Sequence, residues 1–238
     1  MAAFLACSTL CHSQAEPQKP AKKSHGRPAL VTTAELEEFQ QLSEERKKLI
    51  GIAISVAADS PWLPYKYGGA DPKEGGFDCS GAMYFVMGKF GLQPPRTSAA
   101  QFLWLEKNDR LHKVPATATE LEDASLDALQ PGDLLFWSGT YQPTDGRSVN
   151  ITHVAMYLGT EKKGGRAVMI NATDGRSYRG KPANGYGVYD FRLPRKGSKS
   201  KLVGYGTPPG ISEERPKHSS PEVESKEVQK PSPKTKES

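Results

Sequence analysis

The chain has 238 residues, 36% hydrophobic and 25% charged, which suits one sizeable globular domain of about 150 residues with polar extensions. Its net charge of +5 is a mild excess; anionic surroundings such as wall polymers or acidic lipid fit it, as does ordinary surface solubility. The basic residues form no aromatic-interleaved stripe, which argues against nucleic acid as a partner. No run approaches the roughly 18 apolar residues of a membrane span.

Residues 1–28 read as an export signal and linker. The opening MAAFLACSTLCHSQAEP has a short apolar stretch followed by small residues ending in SQA, which suits a secretory cleavage site, although a basic leader is missing. Export to the periplasm, cell envelope or medium is the expectation, with a lipid anchor on Cys7 as a lesser alternative and a Cys7–Cys11 disulfide as another. The chain has three cysteines in all, so removal of the leader leaves Cys79 as an unpaired thiol that calls for an explanation.

Residues 29–209 carry the domain. A capping box at Thr32 and Glu35 and apolar residues at helical spacing predict a helix from there to about Ala58, ended by Pro61 and Pro64. A glycine-rich loop, YKYGGADPKEGGF, precedes DCSGAMYFVMGKFGL, a helix that starts at Asp78 or Cys79 and is closed by Gly91. Another helix is predicted over Ser98 to Glu106, and ATELEDASLDALQ holds at most a short one. Beyond Pro131 the pattern turns to strands: DLLFW, THVAMYLG, RAVMINA, GVYDF and KLVGYG. Helices first and strands second predict an α+β domain, its helices packed on an antiparallel sheet. Residues 210–238, rich in Lys, Glu, Pro and Ser, form a charged tail that cannot bury enough apolar surface to fold.

A thiol at a helix N-terminus has its thiolate favoured by the helix dipole and free N–H groups, and a nucleophile also needs an imidazole and a group that orients it. His153, at the start of a strand, is the best imidazole; His112 competes, while His12, His25 and His218 lie in the leader, linker or tail. If VAMYLG and AVMINA pair as a hairpin, Asn171 returns beside His153 and can hold its ring, with Asp174 as the competing orienter. No pair of Cys or His has zinc-ligand spacing within the domain, so no metal is expected, and no cofactor motif occurs.

The string YKYGGADPKEGGFDCSGAMYFVMGKFGLQPPRTSAAQF, followed by PGDLLFW, ITHVAMYLG and MINA, resembles the NlpC-type cysteine peptidases of bacterial cell walls over roughly residues 60 to 205. The resemblance implies a compact papain-like fold, with Cys79 as nucleophile, His153 as general base and Asn171 at the third polar position, where histidine is commoner in the family. It implies that the Tyr65 hydroxyl helps the Cys79 N–H hold the oxyanion. It also implies that Asp78 and Ser80 contact a substrate ammonium, and that Arg96 and Ser98 line the same pocket. Such a carboxylate suits an ammonium and such an arginine a carboxylate, although for Asp78 a helix cap is the near-equal alternative.

Two features depart from the family. Many relatives specific for a free amine carry SH3-like domains that wall the groove, whereas here only a helix precedes the catalytic part; and SGTYQPTDGRSVNI is a long loop able to cover the groove. The implied activity is that of a thiol protease cutting peptidoglycan or muropeptide stem peptides, at the γ-D-glutamyl to diamino acid bond first. The alternatives are another amide, such as muramoyl to L-Ala or an acyl transfer, and a non-catalytic wall-binding protein. Nothing in the sequence sets the oligomeric state.

Overall fold

The capping box forms, with the Glu35 carboxylate accepting from the Thr32 N–H at 2.7 Å, but in the computed structural model, which describes residues 26–214, it opens only a 3₁₀ turn, Thr33–Glu35. The helix expected from Thr32 is corrected here. Leu36 is fully buried and pairs with Glu161, the Glu37 N–H donates to the Thr160 carbonyl, and the Lys162 N–H donates to that of Glu35. Backbone groups that a helix would use are thus taken by a strand. The helix proper, α1 (Glu44–Ala58), starts at the cap Ser43, whose side chain accepts from the Arg46 N–H. Its buried residues Arg46, Leu49, Ile50, Ala53 and Val56 recur at helical spacing.

The glycine-rich loop contains a small antiparallel ribbon, β1 (Ala70–Asp71) with β2 (Gly76–Phe77). It leads directly into α2 (Cys79–Phe90), which Asp78 caps and Gly91 ends at φ 110°. Next come α3 (Ser98–Lys107), capped by Thr97, and β3 (His112–Lys113). After a 3₁₀ turn at Ala124–Leu126 the strands β4 (Leu134–Ser138), β5 (His153–Glu161), β6 (Arg166–Tyr178), β7 (Lys181–Asp190) and β8 (Lys201–Gly206) follow. They form a six-stranded antiparallel sheet in the order β3-β8-β4-β5-β6-β7. The fold is α+β, as expected.

Both faces of this sheet are covered, so its central strands β4 and β5 are buried along most of their length instead of alternating. Leu134, Phe136, Val154, Met156 and Ile170 face the helices, packing with Ile50, Met83, Met87 and Phe102. Leu135, Trp137, Ala155 and Met169 face the other way, under Leu126, Phe191 and Tyr205. The irregular segment before β4 thereby serves as the cover of the second core. The Asp of the PGD turn has a structural role: Asp133 pairs with the fully buried Arg46 at 2.9 Å. It also accepts from Thr207 Oγ1 at 2.8 Å and from the Gln130 N–H at 2.9 Å.

Packing continues past residue 209, for Ile211 is buried and the Ser212 carbonyl accepts from Arg46 Nε at 3.0 Å. At the other end, Gly26 and Ala29 bridge to Ala183 and Val188 of β7. Cys7, Cys11, His12, His25 and His218, with most of the expected leader and tail, lie outside the described residues. Among the described residues no helix is long and apolar enough to cross a membrane.

Candidate active site

The start of α2 is held by its neighbours in the loop before it. Asp78 accepts from the Gly81 N–H at 2.6 Å and from the Gly68 N–H at 3.0 Å, and its own N–H donates to the Gly69 carbonyl. A Cβ on Gly81 would lie 2.0 Å from that carbonyl oxygen, which explains why the residue two after the cysteine has no side chain. The result is a thiol fixed on the buried first turn of α2. The backbone N–H groups of Val154, Ser80 and Cys79 itself favour its thiolate, yet burial, then the Asp78 carboxylate, outweigh them and push it up to about 11. The lowering expected from the helix terminus alone is thus reversed in the free protein.

Val154 is the residue after His153, so the sulfur lies against the beginning of β5. The β5–β6 hairpin forms as expected, with Met156 opposite Ile170; on that register His153 and Asn171 share a sheet face and are diagonal neighbours. Asn171 Nδ2 lies 2.7 Å from His153 Nε2. Both side chains are buried, the imidazole ring 5.5 Å from that of Trp137. Burial, then the charge of Arg176, holds the His153 pKa well below its ordinary value, so imidazole and thiol are both neutral at rest. Asp174, the competing orienter, is exposed. His112 is exposed at the far edge of the sheet, stacked on Tyr205.

Tyr65 is anchored by its N–H to Asn184 Oδ1 at 2.9 Å and bridges to Phe77. Its pKa is raised, by burial and then by Cys79, so the hydroxyl keeps its proton. Asp78, Ser80, Arg96 and Ser98 line one cavity of about 270 Å³ with Cys79. There Arg96 turns toward Asp78 at 2.8 Å, and also donates to Ser80 Oγ and the carbonyls of Gly68 and Gly69. Ser98 Oγ donates to the Ile151 carbonyl at 3.4 Å. The long loop forms the outer wall of this cavity through Tyr141, Asp145 and Arg147; Arg147 binds Asp145 at 2.6 Å and the Tyr141 hydroxyl at 3.0 Å.

A second cavity, of about 920 Å³, lies on the His153 side and meets the first at Tyr65, Tyr67, Tyr141 and Thr152. Arg176 lines it, with its guanidinium 4.3 Å from the centre of the Trp137 ring. Sequence reading missed this residue, because an arginine after Asp-Gly looks like any turn residue. Among the described residues no group of three or more His, Cys, Asp or Glu is placed to hold a metal ion.

A thiol-bearing helix docked on the strand that starts with an imidazole, in an antiparallel sheet, is the compact papain-like arrangement. The chain belongs to the NlpC/P60 family, whose model matches residues 63–189. It is 34% identical over 111 residues to the bifunctional muramidase/DL-endopeptidase CwlT of Bacillus subtilis, which covers 47% of this chain and 25% of that protein. It is 32% identical over 143 residues to the probable endopeptidase p60 of Listeria monocytogenes, covering 60% of this chain and 20% of the relative. With the gamma-DL-glutamyl hydrolase of Bacillus subtilis it shares 32% identity over 131 residues, 55% of this chain and 25% of that one. The matched part thus spans a quarter or less of these relatives.

Proposed function

We propose that this protein hydrolyses an amide bond in peptidoglycan stem peptides, the γ-D-glutamyl to diamino acid bond, in the cell envelope or outside the cell. The observation that carries the reading is the Asn171–His153 contact at the head of the strand whose next N–H points at the Cys79 sulfur. Relatives named DL-endopeptidase and gamma-DL-glutamyl hydrolase support the choice of bond.

The chemistry follows from the resting charges. With thiol and imidazole both neutral, His153 Nδ1 takes the Cys79 proton as sulfur attacks the carbonyl, which requires the other ring nitrogen, Nε2, to carry its hydrogen. Asn171 satisfies that tautomer when its amide turns so that Oδ1, buried and without a hydrogen-bond partner, accepts from Nε2–H. The oxyanion is held by the Cys79 N–H and the protonated Tyr65 hydroxyl. His153 then gives its proton to the leaving amine, and water, activated by the same imidazole, opens the thioester to release the acid and the thiol.

Masses of the products from purified muropeptides test both the activity and the bond. Cleavage should be lost in Cys79→Ala; retained cleavage in that variant overturns the mechanism, and release of intact stem peptide from muramic acid points to the other amide.

A further inference from the structure

The cavity on the His153 side carries an excess of positive charge that the residues around it leave unanswered. Arg176, Arg192, Arg195 and Lys199 line it, with Asp174 as its carboxylate. Arg192 is paired with Asp190 at 3.0 Å. Among the described residues neither Arg176 nor Arg195 nor Lys199 has an ion-pair partner. Arg176 is part-buried, its planar cation laid on a fully buried indole, and among the described residues its side chain has no hydrogen-bond partner. Its guanidinium, partly withdrawn from water and without an anion in the free protein, keeps donors that an anionic ligand can fill. Burial indeed depresses its pKa to about 10.

The walls are placed by the backbone. Gly139 follows the last residue of β4 at φ 67°, and a Cβ there would lie 2.3 Å from the Lys199 carbonyl oxygen, so the strand end and the 198–200 segment touch. Hydroxyl-bearing Thr140, Thr173 and Ser200 add neutral lining.

We propose that this cavity is the subsite for the leaving half of the substrate and that Arg176 binds a free carboxylate there, with Arg195 and Lys199 steering it in. The proposal rests on the peptidase reading above, because it is the position of His153 in this wall that makes its occupant the amine-side product. A carboxylate fits the fork of a stacked guanidinium by two parallel hydrogen bonds. Asp174 is placed to take the side-chain ammonium of a diamino acid, which explains one carboxylate in an otherwise basic cavity. The enzyme would accordingly reject stem peptides whose carboxylates on that side are amidated.

The test uses the full chain and a pair of synthetic stem peptides, identical except that the carboxylates on the amine side of the cut are free or amidated. The wild type should favour the free acid by about tenfold or more in kcat/KM, expressed in KM, as suits a charged hydrogen-bonded pair. Arg176→Met, which keeps a long unbranched side chain and removes the charge, should bring the ratio close to one. Arg195→Gln/Lys199→Gln, two exposed positions, should lower it severalfold and make it less salt-sensitive. A ratio near one in the wild type overturns the subsite while the peptidase reading stands.

If neither peptide is cleaved, the peptidase reading falls, and calorimetry on Cys79→Ala decides the cavity by itself. The diamino acid–D-Ala fragment should bind and its amide should not, a difference that Arg176→Met abolishes; equal binding overturns the proposal. A glycerol-phosphate oligomer that binds more tightly than the fragment, and loses its binding in Arg176→Met, overturns it in favour of a wall-polymer site.

Discussion

Asp78 and Arg96 face each other at 2.8 Å across the mouth of the site, so the two charges expected to meet a substrate ammonium and a substrate carboxylate are, without substrate, each other's partner. Asp78 is also the cap of the helix that carries the thiol. The two readings of Asp78 are therefore not exclusive. A substrate bound here would have to loosen this pair or use its remaining edge, the Nε of Arg96.

Separating the two roles takes two variants. Asp78→Asn keeps an acceptor for the Gly81 N–H, so it should lose less than about 1 kcal/mol of stability while weakening substrate binding. Asp78→Ala removes the cap as well and should cost about 1–2 kcal/mol. Thermal unfolding beside KM for a stem peptide reads both, and equal destabilisation by the two variants would rule out the capping role.

Asn171→Ala should lower kcat by about a hundredfold with little change in KM, since it frees the ring of His153 without touching substrate. A KM effect with unchanged kcat would place Asn171 in binding instead. Steady-state kinetics on one stem peptide suffices.

Because the Cys79 thiol is pushed up to about 11, alkylation by iodoacetamide in the free protein should be slow at neutral pH and climb steadily through pH 9. Asp78→Asn removes a charge that opposes the thiolate and should shift the curve to lower pH. A rate that has reached its plateau below pH 7 would mean a preformed thiolate–imidazolium pair.

His153 gives stability an acid limb. Its folded pKa lies well below the ordinary 6.5, so the unfolded chain binds the extra proton first. The contribution is complete above pH 6.5 and is lost as pH falls toward the folded pKa. Urea midpoints between pH 7 and 5 should drop more steeply for the wild type than for His153→Gln; parallel curves would contradict the burial of a neutral ring.

Arg46 and Asp133 tie α1 to the turn before β4 in full burial. Arg46→Met or Asp133→Leu alone should cost about 3–5 kcal/mol by stranding a buried charge, and the double variant should recover much of that. Urea unfolding of the four proteins gives the coupling; additive losses would show that the pair is not the unit.

The helix that carries Cys79 was legible because its cap, its apolar run and its closing glycine agree locally. The nearness of Asn171 to His153 was legible because a hairpin with a short turn leaves one pairing. What was hidden depends on distant partners. The capping box at Thr32 announces a helix, but the backbone of Glu35 and Glu37 finds Thr160 and Lys162 first. The short strand β3 has no apolar pattern of its own and exists through Gly204 and Tyr205. Whether a thiol on a helix tip goes up or down depends on how deeply it is buried and on the carboxylate beside it, neither of which the dipole argument contains. Arg176 acquires meaning only when the sheet brings it over Trp137.

The ladder between β5 and β6 skips at Leu158, between the pairs Tyr157↔Met169 and Gly159↔Val168. That extra residue works as an expansion joint. A change of length in the solvent-facing bend at 162–165 meets the ties of Glu161 and Lys162 to Leu36 and Glu35, and then this interruption, before it reaches Met156 and Ile170, so the imidazole and its amide stay in step.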